Sequence, residues 1–216
     1  YLSSAGRLFN AGHDSAGVTA PSPQWFLAEG ATGDYFDLFV LIANPGDTDA
    51  EITATFLLPD GGSVVEHYTA TANSRMNIWV DTEDARLANT AVSTIITSTN
   101  GVPIIVERSM WWPGPSAATW AEAHNSFGST TTGKTWALAE GEVGGVRGAE
   151  TYILIANRGP ADAARVTQSR TCFIEFPFGD LWLKTTLPVE SSSSAGSAAT
   201  ARSTGTGTCC RGRTII

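Results

Sequence analysis

"WFLAEG" occupies residues 25–30, and "WALAEG" occupies residues 136–141, 111 positions later. At that offset Trp25, Leu27, Ala28, Glu29 and Gly30 fall on Trp136, Leu138, Ala139, Glu140 and Gly141, and "HDSAG" at 13–17 falls on "HNSFG" at 124–128. Tyr1 meets Trp112 and Phe9 meets Trp120. Downstream, "FVLIANPG" at 39–46 matches "YILIANRG" at 152–159, the offset having grown by two residues. Matches that keep one order over about 45 residues mark an internal repeat. The spacing predicts the tail of a preceding repeat and a linker over 1–23, a complete repeat over 24–134, and the start of a further repeat over 135–216. That last piece matches only to about residue 167. The chain is expected to be a fragment.

Period-2 alternation dominates the complete repeat, and it decides the fold class. Ile52, Ala54, Phe56 and Leu58 alternate with Glu51, Thr53, Thr55 and Leu57, while Met76, Ile78 and Val80 alternate with Asn77, Trp79 and Asp81. Phe36, Leu38, Val40 and Ile42 form one face of a strand whose other face is also partly apolar, as in a central strand. Asn44-Pro45-Gly46-Asp47, Pro59-Asp60-Gly61-Gly62 and Thr99-Asn100-Gly101 separate the runs, supplying the positive φ and side-chain caps that tight turns need. "LLPDGGSVV" at 57–65 is the clearest hairpin signal. Strands are predicted near 24–30, 35–43, 50–58, 63–70, 75–81, 91–98 and 103–111. Seven short strands predict an all-β, antiparallel, immunoglobulin-like β-sandwich in tandem repeats, with the C-terminal unit incomplete. A closed barrel is the alternative that strand counting leaves open. "TEDARLANTA" at 82–91 is the best helical exception, with Asp84 placed to cap one turn ahead of Leu87.

Composition narrows the function classes. A repeat of about 110 residues can bury its own core, and 42% hydrophobic with 16% charged residues is a globular balance. A net charge of −8 with no basic stripe argues against nucleic acid and against an anionic membrane surface. The longest purely apolar run, Leu38 to Ala43, is far short of the ~20 residues that span a bilayer. No charged-then-apolar leader opens the chain. Cys172, Cys209 and Cys210 all lie beyond residue 171, so the complete repeat depends on neither a disulfide nor a thiolate metal site.

From Gln168 the two copies part. Residues 191–208 are Ser, Ala, Gly or Thr at all positions but Arg202, a composition that buries no core. Two accounts fit: a divergent tail, or a slip of reading frame near codon 168, which would explain the abrupt loss of similarity and the clustered cysteines. Either way the last unit is expected to be poorly ordered.

"WFLAEGAT", "LIANPG", "FLLPDG", "ANSR", "VPIIVERSMWWP" and "HNSFG" together resemble a recurrent module of uncharacterised bacterial secreted or cell-surface proteins, a domain family of unknown function. The resemblance spans roughly residues 1–167. It implies a tandem β-sandwich repeat, an extracellular or cell-surface location, and no assigned chemistry. It carries over no catalytic residue.

Each motif with a chemical look has a plainer account beside it. "GHDSAG" at 12–17 sets His13, Asp14 and Ser15 side by side, but a triad gathers its members from separate segments. The copy "AHNSFG" replaces Asp14 by Asn125, so a polar turn linking modules is expected. Glu29, Glu140 and Glu107 offer one carboxylate at a time, and a glycosidase needs two. An ion pair of Glu29 or Glu107 with Arg75 or Arg108 is expected instead. Asp47-Thr48-Asp49 and Asp81-Thr82-Glu83-Asp84 lack the spacing of a calcium loop. "GEVGGVRG" at 141–148 has no phosphate-cradling pattern, and His67 is expected to face solvent.

The candidate binding residues are Trp79, Trp111, Trp112 and Trp120, since exposed indoles stack on sugars or anchor partners. Their alternative is to fill the junction between successive sandwiches, because Phe9 and Tyr1 keep an aromatic but not a tryptophan at the earlier positions. The sequence therefore points to a non-enzymatic extracellular structural or adhesive repeat, a spacer or display module, with no metal and no cofactor. Its expected partners are neighbouring repeats of the same chain and, beyond them, cell-wall or extracellular polysaccharide or another surface protein. The alternatives are a carbohydrate-binding module, or an accessory region of a secreted hydrolase whose catalytic domain lies elsewhere.

Overall fold

The computed structural model describes residues 15, 17–133, 136, 152–157, 168–174, 183–189 and 213–215. The chain divides into two compact units, Tyr1–Lys134 and Thr135–Ile216. Eight antiparallel strands build the first: β1 Gln24–Leu27, β2 Asp37–Asn44, β3 Ala50–Leu57, β4 Ser63–Ala70, β5 Ser74–Trp79, β6 Ser93–Ser98, β7 Ile105–Trp112 and β8 Glu122–Phe127. They form two four-stranded sheets, ordered β1-β6-β3-β4 and β5-β2-β7-β8. Two packed antiparallel sheets make a sandwich, and the barrel alternative falls away.

The chain changes sheet at five of its seven connections, so each strand's buried stripe meets residues distant in sequence. Leu38, Val40 and Ile42 of β2, with Val106 beside Ile42 on β7 of the same sheet, face Ile52, Ala54 and Phe56 of β3 and Ile96 of β6 across a core in which all are at most 2% exposed. Burying a side chain of this size contributes about 1.5–3 kcal/mol. Alternation in β3 and β6 is the direct record of this one-sided burial.

The turn chemistry matches the sequence pattern. The hairpin joining β3 to β4 closes with Leu58 N–H donating to Gly62 O at 2.9 Å, while Gly61 adopts φ 84° and Asp60 Oδ1 accepts from Gly62 N–H. Between β5 and β6 lie two 3-10 turns, Val80–Thr82 and Ala85–Leu87; Asp84 caps the second by accepting from Arg86 N–H, and Leu87 is buried beneath it.

The residues that the sequence writes twice turn out, in this unit, to be structural. Trp25 is 1% exposed and its indole N–H reaches both Ser22 O (3.0 Å) and Ile104 O (2.9 Å), tying the approach to β1 to the approach to β7. Gly30 packs so closely that a Cβ would lie 2.8 Å from both Leu38 Cδ2 and Val92 O. Asn44, buried, donates from Nδ2 to Thr48 O and Ala70 O and accepts at Oδ1 from Gly46 N–H, organising the turn after β2.

One expectation fails. "HNSFG" is not a turn: residues 122–127 form β8, paired to β7 from Glu107↔Phe127 to Trp112↔Glu122. It escaped the alternation test because β8 is an edge strand. Glu122, His124 and Ser126 share the inward side of the register with Trp112, Met110 and Arg108, and Asn125 interrupts the other side, so neither face reads as apolar. Beyond β8, Phe26 and Ser129 exchange two backbone hydrogen bonds (2.7 and 2.8 Å), and Gly128 fits tightly over Leu27 and Trp25. The earlier copy, "GHDSAG", lies mostly outside the described residues; Ser15 and Gly17 are exposed.

The second unit contains β9 Tyr152–Leu154, β10 Gln168–Ile174, β11 Leu183–Val189 and β12 Arg213–Ile215. β10 pairs with β11 antiparallel and β9 with β12 parallel. β9 falls where the sequence matches Phe39–Leu41 of β2, but its surroundings differ. Ile155 is 36% exposed against 1% for its match Ile42, and Trp136 is 63% exposed against 1% for Trp25. The partners that bury Trp25 have no sequence counterpart after residue 167. Residues 191–208 and the glycine-rich 141–148 lie outside the described residues.

Gly30→Ala is expected to destabilise the first unit by about 1–3 kcal/mol, read from the denaturant midpoint, because the added methyl meets both a packed side chain and a carbonyl. Asn44→Asp, nearly isosteric, turns two donated hydrogen bonds into oxygen–oxygen contacts. A loss of similar size, relieved at low pH where the carboxyl is protonated, is expected from melting curves taken at two pH values.

Candidate functional site

Three of the four candidate tryptophans meet on the outer face of the β5-β2-β7-β8 sheet. Register places Trp79, Phe39 and Ser109 in one cross-strand row, with Asp37 and Trp111 paired in the row beside it. Trp79 and Phe39 stack with centroids 5.5 Å apart and planes at 27°. Trp120, in the loop between β7 and β8, stands edge-on to Phe39 at 5.9 Å and lies 5.0 Å from Trp111. Its indole N–H donates to Asp37 Oδ2 at 2.5 Å, and Asp37 is 2% exposed. Four aromatic rings thus form a continuous ladder in which ring faces and edges are largely used on one another.

Trp112 belongs elsewhere. It follows Trp111 on the same strand, so it points to the opposite face, packing against the core and edge-on to Phe36 at 5.9 Å. Adjacent strand residues cannot make one coplanar pair. Sequence alone missed Phe39 and Asp37 as members of the ladder; the partly apolar second face of β2 was the signal for them.

Beside the ladder, on the edge strand β5, Arg75, Asn77 and Trp79 all project outward and are exposed, Trp79 at 38%. Arg75 Nη2 donates to Asn77 Oδ1 at 2.8 Å.

The other candidates resolve into structural roles. Arg108, on the inner side of β7, pairs with Glu29 from the opposite sheet and donates from Nη1 to Met110 Sδ; its side chain is 5% exposed and that of Glu29 38%. Burial pushes the Arg108 guanidinium down from its ordinary value, against the pull of Glu29. This is one of the ion pairs expected from sequence, set between the sheets. Asp81 accepts from Gly33 N–H (3.2 Å) and Leu38 N–H (2.9 Å). Glu83 accepts from Tyr68 OH at 2.6 Å; burial and this carboxylate together raise the phenol well above its ordinary value. Asp49 accepts from Ala72 N–H, and Asp84 from Arg86. These carboxylates hold backbone and cationic or hydroxyl donors, and among the described residues no three His, Cys, Asp or Glu gather as a metal site.

The outer face of the other sheet carries a shallow depression lined by Glu51, Thr53, His67, Thr69 and Thr99. Its polar groups engage one another: Thr53 Oγ1 lies 3.1 Å from His67 Nδ1, and Thr69 Oγ1 donates to Glu51 Oε2 at 3.2 Å. His67 is exposed, as its place on β4 foretold.

Two of the solved structures similar to this chain illustrate the likeness. The crystal structure of Thermotoga maritima 1070 aligns with a TM-score of 0.44 at 19% identity, over 50% of this chain and 94% of that one. The Anabaena sensory rhodopsin transducer aligns with a TM-score of 0.36 at 24% identity, over 43% of this chain and 91% of that one. No family model and no curated protein matches. At these scores the likeness carries no function across.

Glu29→Gln leaves Arg108 buried without a counter-charge. A loss of about 1–3 kcal/mol is expected, below the 3–5 typical of a fully buried pair because Glu29 keeps partial contact with water. Two aspartates give opposite pH dependences. Asp84 is held to about 2 by the side chain and then the backbone N–H of Arg86, so its stabilising contribution is present above pH ~4 and disappears as pH falls toward ~2. Asp81 is raised above its ordinary value, chiefly by burial and with Asp37 adding to it. Its contribution is greatest below pH ~4 and declines as pH rises through the folded-state value. Comparing stability–pH curves of Asp84→Asn and Asp81→Asn with the parent separates the two.

Proposed function

We propose that this chain is a non-enzymatic structural module of an extracellular bacterial array, a β-sandwich that acts as spacer or display unit and presents an adhesive face. The observation that supports it is what the repeated residues do. Trp25, Gly30 and Asn44 each fasten one strand or turn to another, and Glu29 joins the two sheets. Keeping these fasteners in the second copy is what a repeated scaffold requires. Each module then contributes its own stability, and contacts with neighbouring repeats add to it. The ladder of Phe39, Trp111 and Trp120 fits this role, because its rings pack on one another and Trp120 gives its N–H to Asp37.

A second reading, a carbohydrate-binding module, is favoured by one residue: Trp79, the most exposed of the ladder's indoles, on the sheet's edge strand.

The test sets stability against binding in the intact chain. Trp120→Phe keeps the ring but removes the only donated N–H described at the Asp37 carboxylate, and a loss of about 1–3 kcal/mol is expected in thermal or denaturant unfolding. Trp111→Ala is expected to lower the melting temperature as well, with retention on insoluble cell-wall polysaccharides unchanged. If Trp111→Ala and Trp120→Ala instead abolish saturable glycan binding and leave stability untouched, the structural role fails and the carbohydrate reading takes its place.

A further inference from the structure

Residues 17–133 hold thirteen carboxylates against three arginines and no lysine. Arg86 is paired with Asp84 and Arg108 with Glu29. The third, Arg75, is in neither ion pair, and it stands in the solvent beside Asn77 and Trp79. We propose that the outward line Arg75–Asn77–Trp79, backed by Phe39, is a binding site for a carboxylated sugar within an acidic polysaccharide. This deepens the carbohydrate reading and rests on it.

The three residues alternate along one strand, so they share a face at intervals of about 6.8 Å and span about 14 Å, a distance suited to a short oligosaccharide. Their chemistry is divided in the way such a ligand needs. Trp79 offers an indole face to the apolar side of a pyranose: Phe39 stacks on one side of it, and β5 is the outer strand of its sheet, so among the described residues no strand flanks the other side. Phe39 also fixes the indole's angle, which lowers the ordering cost of binding. Asn77 supplies an amide for hydroxyls. By accepting from Arg75 Nη2 through its Oδ1, it orients the guanidinium and leaves its own NH2 outward as a donor. The guanidinium keeps its remaining N–H groups for a carboxylate, which it can engage with two parallel hydrogen bonds.

The acidic surroundings do not oppose this. On that face the carboxylates nearest the line are Asp37, one strand from Trp79 and about 8 Å away diagonally, and Glu107, two strands from Asn77 through Leu41 and about 10 Å away. Asp37 lies at the Trp79 end, far from Arg75, and its charge is engaged by the Trp120 N–H; Glu107 lies beyond the screening length of about 8 Å at physiological salt.

The experiment is titration of the intact chain with polygalacturonate, alginate and hyaluronan, each beside its methyl ester, by calorimetry or affinity electrophoresis. At least one free-acid polymer is expected to bind, its methyl ester at least tenfold more weakly. Arg75→Ala should remove that difference with a melting temperature close to the parent's, because its side chain is exposed; Trp79→Ala should abolish binding at temperatures well below its own melting point, which falls with loss of the Phe39 stack. Arg75→Lys should recover only part of the discrimination, since an ammonium lacks the fork. Binding to ester and acid alike, insensitive to Arg75→Ala but lost in Trp79→Ala, overturns the carboxylate preference and leaves the carbohydrate reading standing. No binding to any of the six polymers overturns this proposal, and with no retention on insoluble cell-wall polysaccharides either, the carbohydrate reading falls with it.

Discussion

A guanidinium buried between two β-sheets is the constraint on which this module turns. Arg108 projects inward from β7 and would sit uncompensated in an apolar core were Glu29 not delivered to it from the opposite layer. Delivering Glu29 requires the segment after β1 to run close against β2 and β6, which is why Gly30 has no room for a Cβ beside Leu38 and Val92. It also fixes β1 in register, since a slip by one residue would turn Trp25 and Leu27 outward together. Charge, close approach and core burial therefore specify the same strand position, and that agreement is what a sequence needs to select one structure.

The same economy runs through the polar groups. Among the described residues no buried side-chain nitrogen or oxygen lacks a partner. Tyr68 and Glu83 join β4 to the 3-10 segment that crosses between the sheets, and Asp81, from that segment, holds the backbone on either side of residues 34–37. A carboxylate that accepts two N–H groups in this way acts as a strut, with little capacity left for a metal or a proton to be transferred.

Much of this was legible in the residues. Alternation at 52–58 and 76–80 set the apolar residues toward the core, "LLPDGGSVV" gave its hairpin, and Asp84 gave its cap. What escaped had a physical reason in each case. β8 lies at a sheet edge, where neither face needs to be uniformly apolar. Phe39 and Asp37 were hidden because the outer face of β2 is neither polar nor core, and only cross-strand register shows that Trp79 and Trp111 flank them. Trp111 and Trp112 looked like one feature in the sequence and are separated by the thickness of a sheet, since neighbours on a strand face opposite ways. Arg75 carried no signal by itself; its meaning depends on the other two arginines being engaged.

The pairing of Phe26 with Ser129 has a mechanical consequence. Because the two exchange hydrogen bonds in antiparallel sense, the chain reaches the module and leaves it on the same side. A tension drawn through the chain would load the Ser22–Ile104 bonds on the entering side and the Phe26–Ser129 bonds on the leaving side, and then the bonds of β1 to β6 in succession, peeling them one after another rather than shearing them together. Under such a pull the module would yield at lower force than one whose strands are sheared together, releasing its length gradually and behaving as a shock absorber before it behaved as a rigid strut.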